Sequence, residues 1–239
     1  MRLYYSLLTI LVYSFTLLPG TLLMIITPKK WRSYIVCFSW RAFARALLFT
    51  TRLKYEVYDE RTEQYRKWPP KGLYIANHQS FMDIILLASQ VQIPPIMKKE
   101  VLYVPLFGLT AWLSGSIVVN RKDPDSRKKV FEMSKNRLLN GSALQYYPEG
   151  TRSKNGSPKI FEDIKVPLMN FAYENNIPLF PVTMINTDQV LSSKGHFNSR
   201  TTLKIKLAKE VYSKDFENAE AFARYSWQNI LDNYSEISD

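Results

Sequence analysis

Leu73-Tyr74-Ile75-Ala76-Asn77-His78-Gln79-Ser80-Phe81-Met82-Asp83 decides the fold. Residues 73–76 are an unbroken apolar run, which reads as a short buried strand. Residues 81–89 carry a helical pattern, and Ser80 stands where an N-cap belongs. A buried strand that turns at once into a helix is half of a βαβ unit. His78 falls in the turn, at the carboxyl end of the strand, where ligands and reactive groups collect in such sheets.

The same alternation continues outward. Further strands are predicted at 116–119, at 143–147 ahead of Pro148, and at 179–184 despite Pro181. Helices are predicted at 125–139, stopped by Asn140-Gly141, and at 166–174 and 217–231. Residues 202–207 set Lys204 and Lys206 against apolar neighbours, the pattern of a half-buried or edge strand with its lysines outward. The fold class is α/β: a mostly parallel sheet flanked by helices, preceded by N-terminal membrane-associated helices. A composition shift near Leu53 divides an N-terminal segment, 1–52, from an α/β domain, 53–239. No internal repeat or low-complexity tract interrupts either part.

The N-terminal segment has its own chemistry. No charged side chain occurs from residue 3 to residue 27. At about 1.5 Å per residue, such a helix crosses the ~30 Å hydrocarbon layer. A cleavable signal peptide competes, with an apolar core of about 7–15 residues and a small-residue cleavage site. This stretch is longer and runs into Pro28-Lys29-Lys30-Trp31-Arg32. Pro19-Gly20 breaks its middle, leaving a kinked or re-entrant helix open. In the next stretch Arg41, Arg45 and Arg52 share one stripe, and the other faces are apolar. That suits a helix at a bilayer interface or a core helix with one wet stripe.

The formal net charge is +11, and residues 1–55 hold eight basic residues and no acid. Basic residues beside an apolar segment attract anionic headgroups at roughly 1 kcal/mol each. Membrane lipids are therefore the expected partner, and nucleic acid is not. The basic flank predicts a catalytic domain on the cytosolic face. One cysteine, Cys37, excludes an internal disulfide and a Cys-based zinc site. Its apolar neighbours predict a buried structural thiol.

His78 and Asp83 are five residues apart. On one continuous helix they would point about 140° apart. They meet only if His78 lies in the loop and Asp83 in the first helical turn. Asp83 then accepts from imidazole Nδ1–H, fixing the tautomer and leaving Nε2 to take a proton. The competing reading makes Ser80-Phe81-Met82-Asp83 a capping box, in which the aspartate serves backbone N–H groups. No G-x-S-x-G nucleophile elbow occurs, so His78 activates a substrate hydroxyl in the catalytic reading. The other histidine, His196, reads as a solvated loop residue, and two separated histidines do not suggest a metal centre.

Tyr147-Pro148-Glu149-Gly150-Thr151-Arg152-Ser153 follows a strand. Gly150 permits close backbone approach, Thr151 offers a hydroxyl, and Arg152 can grip two phosphate oxygens. Glu149 is expected to orient the arginine or the loop. Arg121 is a further candidate for the same anion; Lys98 and Lys99 either assist it or are simply solvated. An ordinary strand-ending turn with a surface arginine is the alternative.

Taken together, residues 70–185 resemble the glycerolipid acyltransferases, most closely the 1-acyl-glycerol-3-phosphate acyltransferases. Asn77-His78 through Asp83 is similar to the family's His-x4-Asp block. Ser114-Gly115-Ser116-Ile117-Val118-Val119-Asn120-Arg121 resembles its second block, Glu149-Gly150-Thr151-Arg152 its third, and Ile177-Pro178-Leu179-Phe180-Pro181-Val182 its fourth. The resemblance implies transfer of a fatty acyl group from acyl-CoA or acyl-carrier protein, as co-substrate, to the hydroxyl of lysophosphatidic acid. It implies His78 as general base with Asp83 as its orienter, no cofactor and no metal. It also implies acceptor-phosphate binding by Arg121, Gly150, Thr151 and Arg152. Two departures stand out: Asn120 where Asp is common, and acidic Phe161-Glu162-Asp163-Ile164 where a Lys- and Gly-containing stretch is common. They bear on the acceptor, so another lysophospholipid or an aminoacyl lipid stays open. So does a tethered protein that only binds anionic lipid or nucleic acid.

Overall fold

The structure is a computed structural model that describes residues 2–67, 70–93, 96–103, 107–114, 116–120, 122–192 and 194–238. In chain order the elements begin with α1 (Arg2–Ile26), α2 (Lys29–Thr50), β1 (Tyr55–Asp59), α3 (Glu63–Arg66), β2 (Gly72–Ala76) and α4 (Met82–Gln90). They continue with β3 (Met97–Lys98), α5 (Phe107–Leu113), β4 (Val118–Val119), α6 (Pro124–Leu139) and β5 (Ala143–Tyr146). The last are α7 (Pro167–Glu174), β6 (Leu179–Ile185), α8 (Thr187–Val190), β7 (Leu203–Leu207) and α9 (Ala219–Ser238).

Two compact units emerge, and they divide the chain differently from its composition. The first joins Met1–Arg52 to Ala88–Ser134; the second joins Leu53–Leu87 to Lys135–Asp239. A boundary at Arg52 was expected. The membership of 88–134 with the N-terminal helices, rather than with the α/β domain, was not. Hydroxyl contacts account for it: Thr110 Oγ1 of α5 lies 2.9 Å from Tyr13 Oη and 2.7 Å from Thr21 Oγ1, both on α1. Leu113 also packs with Met24, Val36 and the buried Cys37.

Within this first unit, α1 continues as one helix through Pro19. Gly20 is there for packing: a Cβ would collide with Ser39 Oγ of α2. Residues Leu7–Ile26 are long and apolar enough to cross a membrane. One side of α1 buries Tyr13, Leu17 and Met24, while Leu7, Leu11, Phe15 and Ile26 stay exposed. The arginine stripe of α2 stays partly wet, with Arg45 and Arg52 exposed and Arg41 half-buried, and two of its members also serve α4. Arg41 Nε and Arg45 Nε donate to the Ser89 carbonyl at 3.3 and 3.0 Å, serving an orphan acceptor in the last turn of α4. The strand expected at 116–119 shrinks to β4, which pairs with β3 in a separate two-stranded ribbon.

The second unit is built on a sheet of order β1-β7-β6-β2-β5. The β1–β7, β6–β2 and β2–β5 pairings are parallel, and β6–β7 is antiparallel. Every residue of β2 and β6 is buried, as continuous apolar runs require in the middle of such a sheet. The Tyr74 and Phe180 rings stack across these two strands at 4.5 Å. Of the two readings of 202–207, half-buried or edge, the edge one is overturned: β7 lies between β1 and β6, and β1 and β5 are the edges. Lys206 is consequently buried, its ammonium 3.3 Å from Glu60 and 2.9 Å from Glu236. Paired carboxylates are what let a lysine occupy an interior strand.

Candidate active site

The site begins where β2 ends. Asn77 is fully buried and extends the β2–β6 pairing with its amide. Its Nδ2 donates to the Met184 carbonyl at 2.7 Å, and its Oδ1 accepts from Met184 N–H at 2.8 Å. With the strand end pinned, His78 follows in the loop and Asp83 falls in the first turn of α4. His78 Nδ1 lies 2.6 Å from Asp83 Oδ2. The loop-then-helix arrangement predicted for the pair is the one present.

Asp83 answers to both readings of its motif. Its Oδ2 accepts from Gln79 N–H at 2.7 Å and Ser80 N–H at 2.9 Å as well as facing the imidazole. The Thr187 hydroxyl lies within reach of both Asp83 Oδ1 and Gln79 Oε1. It has one proton, and a carboxylate is the stronger acceptor. The carboxylate is wholly buried, so these donors replace the water it gave up. An acceptor-only group facing Nδ1 selects the Nδ1–H tautomer, so Nε2 carries the lone pair. Among the described residues nothing hydrogen-bonds to Nε2. Ser80 Oγ also accepts from Met82 N–H at 3.3 Å, so the predicted N-cap serves the helix start.

The 147–153 turn closes on the same histidine. The Tyr147 ring stacks on the imidazole at 4.3 Å and 25°. Ser153 N–H donates to the His78 carbonyl at 2.7 Å. Glu149 serves the loop, the second of its two expected roles: its Oε1 accepts from His78 N–H at 3.1 Å. Glu149 is 3% exposed, and its Oε2 has no partner among the described residues. Burial pushes its carboxyl up to about 7, opposed by the His78 N–H bond and the Lys159 charge. Burial and the Asp83 charge hold the Tyr147 phenol well above its usual range.

Beyond Glu149 the turn opens to solvent. Gly150 has φ +68°, the left-handed region that favours glycine, and is exposed. Thr151 and Arg152 are exposed too, and no hydrogen bond involving the Arg152 side chain occurs among the described residues. Lys98 and Lys99 are exposed residues of the first unit. Arg121 and Gly115 lie outside the described residues. Exposed His196 is in a loop, as predicted. No cluster of three His, Cys, Asp or Glu suited to a metal ion occurs among the described residues. Tyr147, Thr187, Asn77 and Gln79 were missed. An aromatic two residues ahead of the Glu-Gly-Thr-Arg run was the one available signal.

Comparison with known proteins agrees with this geometry. A family model described as Acyltransferase matches residues 56–185. A chloroplastic 1-acyl-sn-glycerol-3-phosphate acyltransferase, BAT2, of Brassica napus is 30% identical over 129 residues, 53% of this chain and 37% of that protein. The alpha enzyme of that name from Mus musculus is 30% identical over 132 residues, 53% of this chain and 45% of its own. The Salmonella typhimurium enzyme is 32% identical over 122 residues, 48% and 47% of the two chains. The matches thus span less than half of each relative's length. The crystal structure of the 1-acyl-sn-glycerophosphate acyltransferase PlsC from Thermotoga maritima superposes with TM-score 0.73 at 21% identity. It covers 99% of this chain and 97% of that one, so the fold is shared.

Proposed function

This chain belongs to the acyltransferase family, and we propose that it is a 1-acyl-glycerol-3-phosphate acyltransferase. In this reading it moves a fatty acyl group from acyl-CoA or acyl-carrier protein to the sn-2 hydroxyl, giving phosphatidic acid. The observation that carries the reading is the 2.6 Å contact of His78 Nδ1 with buried Asp83. It sits on a loop tied by Ser153 N–H to the turn bearing Arg152.

The chemistry follows from the tautomer. Nε2 takes the acceptor hydroxyl proton as the oxygen bonds to the thioester carbonyl carbon. Asp83 stabilises the imidazolium that forms. The tetrahedral intermediate collapses, the C–S bond breaks, and the imidazolium returns the proton to the departing thiolate. An ester has replaced the thioester, and no acyl-enzyme forms. Arg152 grips the acceptor phosphate as a fork, with Thr151 and the Gly150 backbone beside it. The apolar α1 and the basic Lys29 and Arg32 beyond it support a bilayer anchor, with the α/β unit on the cytosolic face.

The test is an acceptor panel with purified protein and one labelled acyl thioester. Lysophosphatidic acid is expected to release free thiol and yield phosphatidic acid, and His78→Ala to lower the rate about 10²–10⁴-fold with the fold intact. Turnover only with another lysophospholipid or an aminoacyl lipid would replace the acceptor. A wild type that releases no thiol with any acceptor would leave a lipid-binding protein.

A further inference from the structure

His78 stands ahead of the first helical turn, so helix geometry does not fix its ring. A general base must come within about 2.6–3.2 Å of the proton it takes. A displacement of about 1 Å costs about a hundredfold in rate. Something other than α4 must therefore hold the residue still. Asp83 fixes one edge of the imidazole, and its face and backbone are held by the 147–153 turn. Tyr147 covers the face. Glu149 Oε1 takes the backbone N–H, and Ser153 N–H occupies the carbonyl.

We propose that Tyr147 and Glu149 are positioning residues that form a socket for His78. The proposal rests on the base role given to His78 above. The same short turn carries Arg152, so one piece of backbone sets the spacing between proton acceptor and phosphate grip. Two details say which atoms matter. The Tyr147 hydroxyl is buried with no partner among the described residues, so the ring does the positioning and the oxygen contributes nothing to it. Glu149 uses one oxygen as an acceptor, and Lys159 Nζ goes to its backbone carbonyl at 3.1 Å, not to its carboxylate. A carboxyl that burial lifts to about 7 spends much of its time neutral near neutral pH, so an acceptor is needed and a charge is not.

The full chain contains two histidines, so imidazole proton spectra are simple, and exposed His196 is an internal reference. Ring current from Tyr147 should move the carbon-bound His78 protons upfield of those of His196. The displacement should vanish in Tyr147→Leu and persist in Tyr147→Phe. In steady-state assays Tyr147→Leu and Glu149→Ala should lose about tenfold or more in kcat, with KM for both substrates unchanged. Tyr147→Phe and Glu149→Gln should restore it. Wild-type kcat in Tyr147→Leu, or no ring-current displacement, overturns the socket. Glu149→Gln as impaired as Glu149→Ala would show that the charge itself works, and a raised acceptor KM would place Glu149 in substrate binding instead. If the wild type acylates nothing, the enzyme reading fails, and the spectra still decide the socket.

Discussion

His78 and Arg152 belong to segments joined by a direct backbone hydrogen bond, yet they are held in opposite ways. His78 is 6% exposed, with one ring face, one ring edge and both backbone groups engaged. Asp83 behind it is 0% exposed and surrounded by donors. The Gly150-Thr151-Arg152 stretch is exposed, and the guanidinium has no hydrogen bond among the described residues. The difference follows from the two tasks. A group that moves a proton works best when its order is in place before substrate arrives. A group that receives a ligand must keep its donors free for it.

The largest effect should come from the ordered side. Asp83→Asn keeps the shape: an amide oxygen at the Oδ2 position still accepts from Nδ1–H, Gln79 N–H and Ser80 N–H. The charge that steadies the imidazolium is gone, and the Thr187 hydroxyl turns its proton from the Oδ1 position to Gln79 Oε1 so that it can accept from the new amide nitrogen. A kcat loss of about 10²–10⁴-fold with little change in thermal midpoint is expected. Near-normal kcat in this variant would reduce Asp83 to a helix cap. Arg152→Ala should act on the open side. Losing a charge-assisted fork is worth roughly 1.5–3 kcal/mol, or about 10–150-fold in KM for the phosphorylated acceptor, with donor KM unchanged. Equal losses for donor and acceptor would remove Arg152 from phosphate binding.

The same contrast explains what was legible in the sequence. The β2–loop–α4 segment combines an apolar run, a serine cap and a carboxylate within eleven residues, so local rules suffice. The socket does not, because Glu149 reaches His78 across 71 residues, and the supports around it are as distant: Thr187 reaches Asp83 across 104 and Asn77 reaches Met184 across 107. Such contacts exist only after the sheet has assembled. β1 was missed because its five residues are mostly exposed and carry no apolar stripe. β7 was misplaced because its lysine alternation imitates an edge, whereas Glu60 and Glu236 neutralise Lys206 inside. The grouping of 88–134 with α1 rests on hydroxyl contacts of Thr110, which no periodicity announces.

Glu149 joins the two regions, and its titration offers the finest test of their difference. In the unfolded chain its carboxyl titrates near 4.5, and in the folded chain near 7, because burial disfavours the charge. Between those values the folded state binds more protons than the unfolded state. Its contribution is therefore complete below the lower value and is lost as pH rises through the upper one. The span corresponds to on the order of 3 kcal/mol. Glu149→Gln keeps the acceptor for His78 N–H and removes the titration, so it should gain stability over wild type as pH climbs from about 5 to about 8. Thermal midpoints of the two proteins across that range isolate the effect, because every other titrating group is common to both. Parallel curves would mean that Glu149 keeps its charge in the folded state. The Lys159 charge would then outweigh burial at that carboxylate, and the ordered and open halves of the site would be less distinct than their exposures indicate.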